Sequence, residues 1–322
     1  MRRNDYDVSN SIRTTDAAAV AAEVVRLFKG LYGVAAPELE RAFRDIAAMY
    51  QGTHPDYHPC DTEYHDMQHV LDVTLAMARL MDGYQRSPRG RDQPGLSREL
   101  FIVGVLAALF HDFGYLRRRH DRLHRYGAEY TLTHVSRGSA FLRAYVRELG
   151  LGHLAGIAGT LVHYTGYERP TETIRISDTL LRRLGHMLGT ADIIAQMSDR
   201  CYLEKCRDRL FPEFVLGRLA SLRMKARRQL PEFASGHDLV QRTPAFYNGA
   251  ARRLDLQLAR AYDYAAHHFG GENLYLSEME KNIRHAERVA RLADTRDGLR
   301  RQPPSTLAED AEPYPKGLLA LP

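Results

Sequence analysis

The 322-residue chain has no tryptophan, few cysteines, five lysines and no long apolar run. The cysteines are scattered, and they are Cys60, Cys201 and Cys206. Three such cysteines are too few for a disulfide framework, which fits a reducing compartment. The longest apolar run, 101–110, is about half the length of a transmembrane helix. Polar residues follow the first three positions, so we expect no signal peptide, a cytoplasmic protein and no membrane partner.

The net charge is +5, from 45 basic and 40 acidic residues. Because only five of the basic residues are lysine, arginine dominates, and arginine pairs well with phosphate and carboxylate. Genome base composition would produce the same bias. The basic and acidic residues are interspersed, which is typical of solvated helix surfaces and predicts no specific binding of nucleic acid.

Apolar residues recur with a period near 3.6, and no useful alternating strand pattern occurs, so the sequence predicts an all-α fold. The predicted helices are 15–50 with a break between Gly33 and Pro37, 63–81, 100–115, 126–149, 151–164, 177–209 and three more by 292. Residues 83–97 are predicted to be an exposed loop. The run 100–115 is apolar almost all round, which predicts a helix buried on every side.

The chain divides into four predicted segments. Residues 1–50 form an N-terminal helical segment, 51–210 a core, and 211–295 a C-terminal helical extension. The last twenty residues contain five of the fourteen prolines, so we expect 296–322 to be a disordered tail.

Eleven of the fifteen histidines lie between His54 and His186, spread among apolar helices. His65 and His69 are one helical turn apart and therefore share a face, from which two imidazoles can converge on one ion or substrate. Backbone carbonyls would satisfy such a pair equally well.

His111 and Asp112 end the ten-residue apolar run. Burying an unpaired carboxylate costs several kcal/mol, so Asp112 needs a strong partner, either a metal ion or an arginine. Asp192 is likewise a lone carboxylate inside an apolar stretch. Asp199, one heptad later, competes with it, but the charges around Asp199 look solvated, which favours Asp192 as a ligand.

In this order, His69, His111-Asp112 and Asp192 resemble the His…His-Asp…Asp signature of the HD superfamily of metal-dependent phosphohydrolases. The segment 64–73 is similar to an element of class I cyclic-nucleotide phosphodiesterases. Two further pairs resemble later histidine elements of two-metal HD hydrolases, namely His134 with Gly138 and His163 with Gly166. The likeness spans about 63–209 and implies an all-α HD bundle, with 51–210 as its phosphohydrolase core and the metal centre in a cleft.

The resemblance implies roles for individual residues. The metal ligands would be His69, His111, Asp112 and Asp192. His134 and His163 would hold a second ion, and His65 would protonate the leaving oxygen as general acid. Asp72 would orient a ligand histidine, unless it simply pairs with Arg79. One or two divalent ions are implied, and the mixed N/O donor set does not choose between Zn, Mn, Fe, Mg, Co and Ni.

This sequence also departs from the family. Tyr115 stands where many bacterial HD enzymes have lysine, and the further His and Asn-Asn pair of mammalian-type phosphodiesterases are missing. No clear counterpart of the purine clamp, a glutamine with an aromatic residue, is present.

The function that the resemblance favours is that of a phosphodiesterase, which would cleave a cyclic nucleotide with hydroxide generated at the metal. Its partner would be a small nucleotide-like phosphorylated substrate.

Three alternatives stay open at this point. The same centre would serve a nucleotide phosphomonoesterase or alarmone hydrolase, or a di-iron oxygenase acting on a small polyol. A non-catalytic regulatory HD module, whose extension 211–295 binds a partner, belongs to a different class. The sequence also leaves a homodimer open.

Overall fold

The computed structural model describes residues 2–88, 94–166, 169–226, 230–292 and 294–315. Over these ranges the fold is all-α, as predicted, with two isolated β-bridges but no strand. We number the α-helices in chain order: α1 Ala17–Tyr32, α2 Pro37–Tyr50, α3 Met67–Arg86, α4 Arg98–Leu109, α5 His134–Glu148, α6 Ala155–Leu161, α7 Thr179–Ser198, α8 Tyr202–Lys205, α9 Phe211–Arg223, α10 Gly236–Arg252, α11 Asp263–Phe269 and α12 Leu274–Val289. Short 3-10 turns lie at Phe113–Tyr115, Gly127–Tyr130, Gly152–Leu154, Val162–Tyr164, Thr171–Thr173 and Thr295–Asp297. Single π-helical turns cover Cys206–Leu210 and Arg253–Gln257.

Polar side chains cap the helices that carry the central part of the fold. The Asp66 carboxylate accepts the backbone N–H of His69 at 3.0 Å and so begins α3. Asp178 caps α7 in the same way. These caps satisfy N–H groups that have no partner inside the helix, which fixes where each helix starts.

The central element is α3, which packs against α1, α4, α7 and α11. Between Met67 and Tyr84, every residue of this helix except Asp72 is buried. The predicted burial of 100–115 is also observed, since α4 is buried from Phe101 to its end at Leu109. Two helices that are surrounded by apolar neighbours therefore form the interior of the protein.

The chain leaves α4 through a 3-10 turn that packs directly on α5. A Cβ atom at Gly114 would overlap the backbone oxygen of His134, and one at Gly138 would lie 3.0 Å from the carbonyl oxygen of His111. Only glycine permits this approach of backbone to backbone. The contact brings the start of α5 next to the His111-Asp112 pair.

Several predicted helix boundaries differ from the structure. The expected helix 126–149 begins instead with a 3-10 turn, and α5 starts at His134. The expected helix 177–209 breaks after Ser198, where the chain turns before α8. Within the expected loop 83–97, α3 continues to Arg86, and 89–93 lie outside the described residues.

The tail that we expected to be disordered has specific contacts as far as it is described, to residue 315. The Arg209 guanidinium donates to the carbonyl oxygens of Pro303 and Pro304, each at 2.9 Å. The Thr306 hydroxyl donates to Asp66 at 2.9 Å. Proline content lowers helix formation, but a proline segment has free carbonyls that an arginine can bind, and this explains the difference. Residues 316–322 lie outside the described residues.

One buried apolar cluster runs from Val20 to Leu299 and crosses the predicted boundaries at 50/51 and 210/211. The division into segments stays a prediction. None of the helices in the described ranges combines the length and the apolarity that crossing a bilayer requires.

We predict that Gly114→Ala destabilises the protein by about 1–3 kcal/mol, because the added methyl group must displace the backbone of α5. Gly30→Ala is the matched control. Gly30 lies in α1 with open space around its Cβ position, and alanine there should raise the free energy of unfolding by as much as about 1 kcal/mol. Urea unfolding of both variants measures the difference, and a Gly114→Ala protein as stable as the wild type would contradict the packing.

Candidate metal centre

Four side chains from three parts of the fold meet at one point. His69 comes from the first turn of α3, His111 and Asp112 follow the end of α4, and Asp192 lies in α7. The Nε2 atom of His69 is 3.3 Å from Nε2 of His111, 3.3 Å from Oδ2 of Asp112 and 3.6 Å from Oδ1 of Asp192. The Nε2 atom of His111 is 3.1 Å from Oδ2 of Asp112. The structure thus brings all four predicted ligands together.

The separations among His69, His111 and Asp112 fit the ligands of a single ion, and the Asp192 oxygen lies slightly farther out. Atoms that bind a metal at 2.0–2.1 Å lie about 2.9–3.4 Å from one another, depending on the geometry. The Nδ1–H of His111 donates to the carbonyl oxygen of Ala108 at 2.7 Å, which leaves the lone pair of Nε2 facing the group. His69, His111 and Asp112 form a buried cluster that could hold a metal ion.

The charges of the site also call for a cation. Burial favours the neutral form of Asp112, but His111 and His65 outweigh it and hold the pKa of Asp112 well below its usual range. Burial likewise opposes protonation of His111, yet Asp112 raises the pKa of that imidazole to about 9. Burial raises the pKa of Asp192. Without a metal, the group would attract protons, and a divalent cation satisfies the same atoms without them.

An arginine partner for Asp112 was the alternative to a metal. Within the described ranges, the ion-pair partners of Asp112 are all histidines, namely His69, His111 and His134. The groups that lower the pKa of Asp192 against its burial are His111, His69 and Arg253. Asp112 is therefore neutralised by imidazoles and not by an arginine of its own.

The two histidines predicted to bind a second ion, His134 and His163, lie in different places in the structure. His134 brings its Nε2 atom to 3.5 Å from Oδ1 of Asp112, and its Nδ1–H donates to the carbonyl oxygen of Thr131 at 2.7 Å. Burial lowers the pKa of His134 to about 4, so the imidazole is neutral, as a ligand must be. His163 is buried, but it is outside both this group and the cavity lining.

His65 forms a close hydrogen bond from Nδ1 to the carboxylate of Glu213. Glu213 also accepts the backbone N–H of Tyr64 at 2.7 Å, and its side chain is 2% exposed. Burial opposes protonation of His65, but Glu213 outweighs it and raises the pKa of this imidazole. Glu213 was not predicted from the sequence, although it is a lone carboxylate among apolar residues, between Pro212 and Phe214, as Asp192 is in its own stretch.

A second missed residue, Gln196, lies one turn after Asp192 on α7. Its amide nitrogen donates to Oδ1 of Asp192 at 3.2 Å, and its carbonyl oxygen accepts the Tyr64 hydroxyl at 3.1 Å. Gln196 thereby restricts the rotation of the Asp192 carboxylate.

Tyr115 stacks against two histidines of the site. Its ring centroid is 4.4 Å from that of His65, at an interplanar angle of 21°, and 4.3 Å from that of His134, at 17°. The two imidazole centroids are 6.3 Å apart.

Asp72 lies away from the ligand histidines. It interacts with Thr14, Asp199 and Lys205, while Arg79 pairs with Asp7 at 2.7 Å. Neither expected role of Asp72 is observed. The charges around Asp199, which we expected to be solvated, are buried instead, because Lys205 folds inward to bind Asp199 at 2.5 Å.

The metal group borders a cavity of about 430 Å³, a size that fits a small organic ligand. The polar part of the lining is formed by histidines and carboxylates already described. The rest of the lining is largely apolar and includes Leu132, Leu210, Phe214, Leu230, Pro231 and Phe246. A ligand in this cavity would meet both the metal group and apolar surface.

Comparisons with known proteins give similarity at the level of the fold. No family model and no curated protein sequence matches the chain. Among solved structures, the chain is similar to the phosphodiesterase domain of the RhoPDE fusion protein from the choanoflagellate Salpingoeca rosetta. The two share 14% sequence identity with a TM-score of 0.51, over 89% of this chain and 95% of that one. At this identity the likeness shows a common fold.

We predict that Asp112→Ala lowers the affinity for Co²⁺ or Zn²⁺ by about 100-fold or more, because it removes a carboxylate that lies against both histidines of the group. Asp238→Ala is the matched control, since Asp238 also follows a histidine but pairs with Arg242 on α10. Calorimetric titration of both variants after chelator treatment measures the difference. Equal affinities in the two variants would exclude this group as the metal site.

Proposed function

We propose that the protein is a metal-dependent phosphohydrolase, and that it is a phosphodiesterase acting on a nucleotide-like substrate. The observation that carries this proposal is the convergence of His69, His111, Asp112 and Asp192 at the edge of a cavity that also contains the His65–Glu213 pair. The fold-level likeness to a phosphodiesterase domain supports the same reading.

The two imidazoles and two carboxylates would hold one divalent ion, and this donor set suits Zn, Mn, Fe, Co or Ni. His134, which approaches the other oxygen of Asp112, is the residue proposed for a second ion. Such ions lower the pKa of a bound water and neutralise charge on a phosphoryl group.

The chain itself would handle the proton of the leaving group. Glu213 favours the protonated form of His65, because the Nδ1–H of that ring donates to its carboxylate. The Nε2–H of that ring is then available to the leaving oxygen as it develops negative charge. The Tyr64 hydroxyl donates to the side-chain oxygen of Gln196, and the amide nitrogen of Gln196 donates to Asp192, so that these bonds orient the Asp192 carboxylate.

The apolar part of the cavity lining favours a substrate with a large, weakly polar group attached to the phosphate. Phe214 and Phe246 offer aromatic surface to a nucleobase, and their apolar neighbours exclude water from the reacting atoms. This composition supports a nucleotide diester over a small phosphorylated metabolite.

We predict that the metal-loaded wild type hydrolyses cyclic nucleotides or bis(p-nitrophenyl) phosphate, and that Asp112→Ala abolishes turnover while circular dichroism remains unchanged. Phosphate-release and chromophore assays, with nucleoside monophosphates in the same panel, provide the measurement. Hydrolysis of the monoesters alone would replace the diesterase with a monoesterase. Metal binding without turnover of any of these substrates would favour a regulatory module.

We predict that Glu213→Gln lowers kcat by about 10²–10⁴-fold with metal content preserved, because His65 loses the carboxylate that keeps it protonated. Glu204→Gln is the matched control, since Glu204 is equally buried but accepts the backbone N–H of Arg301 at 3.1 Å. Steady-state kinetics with metal analysis compares the variants. Equal kcat values would remove the acid role from the His65–Glu213 pair.

A further inference from the structure

We propose that Tyr115 is a positioning residue that holds the imidazole planes of His65 and His134, both of which stack against its ring. This proposal rests on the function proposed above.

Tyr115 reaches this place through the same short turn that carries Asp112. The backbone N–H of Tyr115 donates to the carbonyl oxygen of Asp112 at 3.0 Å and closes the turn. The side chain is buried, with 3% of the residue exposed, and it borders the cavity. The turn therefore delivers a metal-site carboxylate and an aromatic ring together.

The hydrogen bonds of the two histidines leave one motion of each ring open. His65 is held at Nδ1 by Glu213, and His134 is held at Nδ1 by the carbonyl oxygen of Thr131. A hydrogen bond at one ring atom sets the tautomer and the distance, but the ring can still tilt about that bond. A stacked aromatic face restricts this tilt, because offset-stacked rings prefer nearly parallel planes. The observed angles of 21° and 17° are nearly parallel.

The stack also keeps the two histidines in different positions. Their centroids are 6.3 Å apart, with the phenol ring in contact with both. A smaller side chain at 115 would leave space into which either imidazole could turn. His65 would then no longer present its Nε2 atom to the leaving oxygen, and His134 would no longer face Asp112.

A comparison of leaving groups separates this role from a general structural one. A p-nitrophenolate leaves without a proton, whereas the ribose oxygen of 3′,5′-cyclic AMP needs one. We expect Tyr115→Leu to lower kcat on cyclic AMP by about 100-fold and kcat on bis(p-nitrophenyl) phosphate by less than tenfold, with little change in KM. Tyr115→Phe keeps the stacked ring and should retain both activities within about fivefold.

A double-mutant cycle tests whether Tyr115 acts through His65. In a His65→Asn background, Tyr115→Leu should have little further effect on cyclic AMP hydrolysis, because the group that it positions is already missing. Metal analysis of every variant should show that the ion proposed for His69, His111, Asp112 and Asp192 stays at the wild-type level.

Several results would overturn the proposal. Equal losses on both substrates, a Phe variant as impaired as the Leu variant, or additive effects in the cycle would each do so. A crystal structure of Tyr115→Leu in which both imidazoles keep their planes would do so whatever the kinetics. Failure of the wild type to hydrolyse any phosphodiester would instead refute the proposed function and, with it, the reaction that Tyr115 serves.

Discussion

The arrangement of this protein depends on one buried carboxylate, that of Asp112. Its oxygens face three histidines, and within the described ranges no guanidinium pairs with it. An uncompensated charge in such a place would cost several kcal/mol, so the surrounding helices must supply positive charge or hold an ion that does. The start of α3, the end of α4 and the start of α5 all meet at this carboxylate.

The apolar interior increases the strength of this constraint. Since α3 and α4 are buried almost all round, little water screens the group, and each interaction of Asp112 with an imidazole is stronger than it would be at the surface. The same interior makes a missing partner more costly. The glycine contact between Gly114 and α5 belongs to this arrangement, because it sets the distance at which His134 faces Asp112.

The helices and the four converging ligands could be predicted from sequence because their signals are local. An apolar run that ends in His111-Asp112, and a lone acid such as Asp192 in a second run, are visible without knowledge of the fold. The partner of His65 could not be predicted in this way, because Glu213 is 148 residues away and only the packing of α9 brings it near. The surroundings of Asp72 could not be predicted from the sequence either, because its neighbours Asp199 and Lys205 come from beyond the end of α7.

The hydrogen bonds at Nδ1 distinguish the histidines of the site from one another. His111 and His134 each donate from Nδ1 to a backbone carbonyl, which is a neutral acceptor and leaves Nε2 as a lone pair. His65 instead has a carboxylate at Nδ1, which stabilises the ring when it carries a second proton. The carboxylate at Nδ1 therefore suits His65 to holding the second proton that the proposed acid must donate. The carbonyl acceptors of His111 and His134 fix Nδ1–H in the neutral ring, so that Nε2 can bind a cation.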